Sequence, residues 1–326
     1  MISILNFNGV VSMELRNVAT FLRVAECESF TKAAEQLGYV QSTVTIQIQQ
    51  LEAEIGVPLF DRIGKHVSLT SSGQEFMGYA TQMMQIAECS LLLGKPPKEM
   101  GGVLRLGILE SLFNWVLCDQ IPQYHRDFPK IILETRMTSG DDLLQMLKHN
   151  ELDMIFFLGK KTTERDFIRA CAHLINIVFV TYPEHPLAGR GPVSLADVVP
   201  QHGGRAALAL GVRQPMILPE RKAVYRRALE EEAAQKNLYI APFLEIDNSV
   251  SIVSLLKQKL GISFLPEYVV RSSVQKGELV ILPAEDCSVQ LWSQVFYHKS
   301  KWVTPPMDSL IQLIQDRVFQ DRFLQR

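Results

Sequence analysis

Residues 31–73 read TKAAEQLGYVQSTVTIQIQQLEAEIGVPLFDRIGKHVSLTSSG, and this stretch decides the architecture of the amino-terminal part. It predicts a short helix, a tight turn, a second helix and a two-stranded hairpin carrying basic residues. Ala33, Ala34 and Leu37 give the first helix a small-residue face that another helix can approach closely. Gly38 ends it, because glycine accepts the backbone angles of a helix terminus that other residues resist. The second helix is expected from about Gln41 to Glu54, with Val44, Ile48, Leu51 and Ile55 at helical spacing as its buried stripe. Its opposite face offers Ser42, Thr43, Thr45, Ile46, Gln49 and Gln50: hydroxyls, amides and one apolar chain, groups that reach base edges in a major groove. Gly56 and Pro58 end this helix, and FDRIGKHVSLT follows as a hairpin turning at Gly64. A helix-turn-helix with a basic wing is the natural reading. Its candidate DNA-contacting residues are Gln41, Ser42, Thr43, Thr45, Ile46 and Gln49 on the helix, with Arg62, Lys65 and His66 on the wing.

Outward from this stretch, Glu14 to Ala25 predicts a preceding helix with Val18, Phe21, Leu22 and Ala25 inward, and Thr31 is the expected cap of the next one. After the wing, Ser71 or Ser72 is placed to cap a long helix to about Leu92. Phe76, Ala80, Met83 and Ala87 form one stripe on it, and Tyr79, Met83, Ile86 and Leu93 a neighbouring one. Together they suit pairing with the same helix of a second chain; the competing expectation is that the helix packs back on its own domain. GKPPKEMGG, residues 94–102, is a hinge. Beyond it, VLRLGIL, KIILETRM and LDMIFFL predict strands alternating with helices, the first helix interrupted near Pro122. INIVFVTY opens a second such unit, and VQLWSQVFYH and a last helix from Met307 to Leu324 return to the first. The alternation indicates a parallel sheet with covered faces.

The succession AAEQL, QSTVTIQIQQLE, IGVPLFDR and LTSSG resembles the amino-terminal signature of LysR-type transcriptional regulators. HPLA, the YRR run at Tyr225 and LGISFLPEYVV extend the resemblance from Met13 onward. It implies an α+β winged helix-turn-helix domain plus linker helix, followed by an α/β periplasmic-binding-protein-like effector domain of two lobes. Residues 1–12 are then an extension or a misassigned start, 13–70 the DNA-binding domain and 71–101 the dimerisation helix and hinge. Residues 102–326 form the effector domain, with lobe I about 102–175 and 284–326 and lobe II about 176–283. Residues 200–214, PQHGGRAALALGVRQ, have no counterpart in the family pattern. The implied partners are double-stranded promoter DNA, a small-molecule effector, RNA polymerase and further copies of the chain as a homodimer or tetramer.

In open parallel sheets, ligands sit beyond the carboxyl ends of strands. That rule selects Glu110, Ser111, Thr138, Ser139 and Phe157 from one lobe and Pro219, Tyr225, Asn248 and Ser249 from the other. Ser111 and Ser139 precede predicted helices and can hold an anion or act as plain caps. Glu110 disfavours a purely anionic ligand and suits an amino group instead. The YRR run reads as a solvated helix face, with Tyr225 toward the cleft.

At 326 residues the chain suits two or three domains, and no apolar run approaches the roughly 20 residues that cross a bilayer. The opening segment lacks a basic leader and cleavage site, so a cytoplasmic location is expected. Five scattered cysteines, with no CxxC pair, read against both a disulfide framework and a metal site. No cofactor is expected, nor catalysis: GxSxG, HExxH, a phosphate loop and GxGxxG are all missing from the sequence. Charge is the unusual feature. Over residues 13–92, Arg16, Arg23, Lys32, Arg62 and Lys65 stand against nine carboxylates, a balance of −4, where a DNA-binding domain usually carries a positive footprint. That acidity leaves a second class of reading open, a small-molecule-binding module or enzyme whose amino-terminal domain does not bind DNA. A regulator needing no ligand is the third.

Overall fold

The computed structural model describes residues 13–63, 66–91, 94–199 and 215–320. Residues 1–12, the expected hairpin turn at Gly64 and Lys65, Leu93, and the segment 200–214 lie outside the described residues, as do the side chains of Arg62 and His66 and the chain beyond Gln320. Two compact units make up the chain, Met1–Lys95 and Pro96–Arg326.

In the first unit, α1 (Leu15–Cys27), α2 (Phe30–Leu37) and α3 (Gln41–Ile55) precede a hairpin of β1 (Phe60–Ile63) and β2 (His66–Leu69), and α4 (Ser71–Leu91) closes it. Val18, Phe21 and Val24 of α1, Ala33 and Ala34 of α2, and Val44, Ile48 and Leu51 of α3 form one core. The two alanines make the close approach between helices that their size permits. Phe21 is the hub, its ring 5.2 Å from Phe60 and 5.0 Å from Phe76. Such aromatic pairs add about 0.5–1.5 kcal/mol beyond the area they bury. Glu52 fixes the wing to α3: its Oε1 accepts the N–H groups of Leu59 at 2.8 Å and Phe60 at 3.2 Å.

Three local expectations are corrected. The cap of α2 is Ser29 rather than Thr31; its hydroxyl oxygen accepts the Lys32 N–H at 3.3 Å, and Phe30 enters the core as the first helical residue. The cap of α4 is Thr70, whose Oγ1 accepts the Gly73 N–H at 2.9 Å and donates to the Pro58 carbonyl at 2.8 Å. Phe76 and Ala80 are buried in their own unit, and Met83 packs partly against the same core. That side of α4 therefore packs back, whereas Tyr79, Ile86 and Leu91 are 57%, 52% and 67% exposed.

Among the described residues, the second unit is built on a nine-stranded sheet. Its elements are β3 (Gly101–Ile108), α5 (Glu110–Leu112), α6 (Ile121–Asp127), β4 (Lys130–Met137), α7 (Gly140–Lys148), β5 (Met154–Gly159) and β6 (Phe167–Thr181). Then come α8 (Leu195–Val198), β7 (Met216–Leu218), α9 (Val224–Gln235), β8 (Leu244–Glu245), α10 (Ser249–Lys257), β9 (Ile262–Pro266) and α11 (Glu267–Gln275), followed by β10 (Val280–Leu282), β11 (Val289–His298) and α12 (Pro305–Gln320). The order across the sheet is β4-β3-β5-β11-β6-β9-β7-β8, with β10 paired to β6.

The sheet is mixed rather than all parallel. β3 pairs in parallel with β4 and β5, and β7 with β8 and β9. Between these two groups run β6 and β11, antiparallel to each other and to their neighbours. These two long strands are the crossings between lobes. The helical stretch after β3 loses α geometry in the residues leading up to Pro122. It widens to a π-turn over Phe113–Leu117, tightens to 3₁₀ over Cys118–Gln120, and resumes as α6. Pro122 falls in the first turn of α6, where its missing N–H is not needed.

Candidate functional site

The outward face of α3 is uncharged. Gln41, Ser42, Ile46, Gln49 and Gln50 are exposed, while Thr43 and Thr45 are half-buried. Thr45 Oγ1 donates to the Gln41 carbonyl at 3.0 Å, so its donor serves its own helix and leaves lone pairs and a methyl group. Gln41 Oε1 accepts the Thr31 hydroxyl at 3.2 Å, which ties α3 to α2. Gln47, adjacent in sequence, faces the other way: it is buried, and its Oε1 accepts the Thr20 hydroxyl at 2.8 Å. Of the basic residues, Arg23 is engaged with Glu26 at 2.6 Å and Gln36 at 3.2 Å. Arg16 and Lys32 stand exposed near the starts of α1 and α2.

In the second unit, Glu110, Ser111, Thr138, Ser139, Phe157, Pro219, Tyr225, Asn248 and Ser249 all line one cavity of about 530 Å³. Hydrogen bonds join its two sides across long sequence separations. Glu110 accepts the Ser249 N–H and hydroxyl, each at 3.2 Å, and the Asn114 amide at 2.5 Å. Trp115 Nε1 donates to Ser249 Oγ at 2.8 Å, and the hydroxyls of Ser111 and Tyr268 pair at 2.9 Å. The Glu110 carboxylate therefore sits at the amino terminus of α10, where negative charge is favourable; it is not left waiting for a ligand amine. Ser139 is a plain cap, accepting the Asp142 N–H at 3.3 Å. Its hydroxyl and that of Thr138 both donate to the Asp142 carboxylate, and these bonds hold that carboxyl below its usual range. Ser111 caps nothing; it lies inside the first helical turn. Burial, with Tyr268, Glu110 and Asp247 nearby, pushes the Tyr225 phenol upward, so it stays a neutral hydroxyl.

Around the mouth, Arg227 meets Asp141 at 3.4 Å and Lys160 meets Glu231 at 3.6 Å. All four side chains are largely exposed, so the pairs are worth little and can part. The middle residue of the YRR run overturns the expectation of a solvated face. Arg226 is fully buried, donating to the Pro219 carbonyl at 2.7 Å, Glu245 at 2.9 Å and Glu230 at 3.0 Å. It fixes the segment that brings Pro219 and Glu220 to the cavity.

Comparison with known proteins gives the family. Residues 15–74 match the family described as bacterial regulatory helix-turn-helix protein, lysR family, and residues 97–318 match the LysR substrate binding domain. The chain belongs to the LysR family. YwqM of Bacillus subtilis, described as an uncharacterized HTH-type transcriptional regulator, is 30% identical over 303 residues, covering 92% of this chain and 98% of that protein. The HTH-type transcriptional activator CmpR of Synechocystis is 28% identical over 292 residues, covering 88% and 90%. Full-length OxyR from Pseudomonas aeruginosa shares the fold with a TM-score of 0.62 at 20% identity, each chain 94% covered. Full-length BenM does so at 0.51 and 22% identity, covering 95% of this chain and 98% of that one.

As a LysR-family member the protein is a DNA-binding transcriptional regulator with an effector-binding domain. No described helix is long and apolar enough to cross a membrane. Sequence reasoning missed Asn114, Trp115 and Tyr268, which complete the cavity's framework. Asn114 was within reach as the i+4 neighbour of Glu110; Tyr268 meets Ser111 across 157 residues, and no local pattern announces that. Glu110→Ala is expected to lower stability by about 1.5–3 kcal/mol, the range for hydrogen bonds to a charged group. A thermal melt of the full chain checks it, with a loss on the order of 5 °C expected for a unit of this size.

Proposed function

We propose that this LysR-family regulator reads promoter DNA through Gln41, Ser42, Thr43, Thr45, Ile46 and Gln49, with Arg62, Lys65 and His66 of the wing on the phosphates. We further propose that a small effector occupies the 530 Å³ cavity. The carrying observation is that the polar groups on the outer face of α3 are turned away from the core of their own unit. An effector that prefers one spacing of the two lobes shifts the protein between conformations, a coupling typically worth about 1–3 kcal/mol. The cavity offers the hydroxyls of Ser111 and Tyr225 and the Asn248 amide, with side chains of both signs, among them Asp141, Lys160, Lys222 and Arg227, around it. This lining suits a polar effector able to exchange hydrogen bonds with hydroxyl and amide groups. RNA polymerase is the downstream partner and the cytoplasm the location.

Binding of purified full-length protein to duplexes from its own upstream region, titrated against salt, tests the reading. Salt-sensitive, sequence-dependent binding supports it. The carboxylate excess of the first unit favours a second reading, in which that unit does not engage DNA; absence of binding even at low salt would select it.

Pairing through the exposed stripe of α4 places two recognition helices about one turn of DNA apart, or a multiple of it. Ile86→Glu is expected to convert dimers or tetramers to smaller species in sedimentation velocity. It is a cleaner probe than Met83, which also serves its own core. An unchanged sedimentation coefficient would show that α4 is not the pairing surface.

A further inference from the structure

We infer that Ile46 is a specificity-determining residue that reads the C5-methyl group of thymine, so that each half-site holds a required A·T pair under the centre of α3. This rests on the DNA-binding reading above and adds the base that is read. Ile46 is 53% exposed on a helix whose core stripe, Val44, Ile48 and Leu51, is 0% exposed, so packing does not explain it. It sits one helical turn from Ser42 on one side and from Gln49 and Gln50 on the other, neighbours at i−4, i+3 and i+4.

The face around it carries no ionic side chain from Gln41 through Leu51. Glu52, the next residue, is committed to the Leu59 and Phe60 amides. A guanine edge is normally met by the paired donors of arginine or lysine, and α3 presents neither on this surface. What it presents is carboxamide, which matches the N6 and N7 positions of adenine, and aliphatic carbon, which matches the thymine methyl. Thr45 adds to the second class, since its hydroxyl hydrogen is spent on Gln41. With few cations available to hold phosphates, contacts of this apolar kind carry a larger share of the discrimination.

The test uses the full-length protein and duplexes enriched by repeated selection from random DNA. Each thymine of the enriched sequence is replaced singly by uracil, which removes the methyl and keeps the pairing edge. One methyl buried is worth about a fourfold change in affinity. Wild-type protein is expected to lose about that factor at one thymine per half-site, Ile46→Val to retain most of the discrimination, and Ile46→Ser to bind thymine and uracil versions equally. Uracil substitution without effect anywhere, or with the same effect on Ile46→Ser, overturns the inference while leaving DNA binding intact. Failure of the full chain to enrich any sequence overturns both readings.

Discussion

Gly261→Ala is expected to cost the second unit a large part of its stability. Gly261 has φ +67°, and a Cβ there would stand 1.7 Å from the Pro215 carbonyl oxygen. That oxygen cannot retreat freely, because it accepts the Ile262 N–H at 2.9 Å, while the Gly261 carbonyl accepts the Thr181 hydroxyl at 2.7 Å. The left-handed conformation alone costs an alanine about 1–2 kcal/mol. The overlap adds roughly 1–3 kcal/mol more, and a lost backbone hydrogen bond about 1 kcal/mol. Together these reach about 4 kcal/mol or beyond, a large part of the roughly 5–15 kcal/mol that holds a domain folded. A drop in melting temperature of about 10 °C or more, or loss of soluble protein, is the expected reading. A wild-type melt would mean that Gly261 does not approach the Pro215 carbonyl this closely.

Gly73→Ala is expected to do comparable damage to the first unit. Here the conformation is ordinary helix and the difficulty is space: a Cβ would lie 2.1 Å from the Leu59 carbonyl oxygen, which also accepts the Thr70 N–H at 3.0 Å. α4 must lift from the start of β1, and Glu52 holds that same point to α3. Overpacking against backbone and loss of one hydrogen bond come to about 3 kcal/mol. In a unit of this size that is on the order of 15 °C. Gly78→Ala in the same helix is the control. Nothing stands within 4 Å of its Cβ position, so it should stabilise by roughly 0.5–1 kcal/mol. If both substitutions raise the melting temperature, the packing of α4 on the wing is wrong.

Both glycines belong to motifs, LTSSG and LGISFLPEYVV, that were readable in the sequence as family signatures but whose necessity was not. Their constraint lies in what approaches them, Leu59 and Pro215, and proximity is a property of the fold. The first unit was otherwise largely legible, because its logic is local. The spacing of Val44, Ile48 and Leu51 places the core stripe of α3, and what lies opposite is exposed. Thr31 fails as a cap because Phe30 is drawn into the core and the helix starts two residues early, capped by Ser29.

The second unit was legible in its elements and not in their directions. Strands such as VQLWSQVFYH announce themselves by composition, but whether β11 runs with or against β6 depends on pairing across more than a hundred residues. The cavity positions followed from a general rule about strand ends, which needs only element order. The roles within the cavity did not. Glu110 looked like a free carboxylate because its partner, the amino terminus of α10, is 139 residues away. Arg226 looked solvated because one of its carboxylates, Glu230, lies at the i+4 spacing of any surface ion pair, while the burial that matters comes from the Pro219 carbonyl and Glu245 folding over it.

Gln49→Ala tests most directly the proposal that the uncharged face of α3 discriminates base pairs. Affinities of wild type and variant are measured on an enriched duplex and on random duplex at one fixed salt concentration. Gln49 is exposed and its removal disturbs no core residue, so the expected result is a loss of roughly 1–3 kcal/mol on the enriched sequence and none on random DNA. Equal losses on both, or no loss on either, would contradict it.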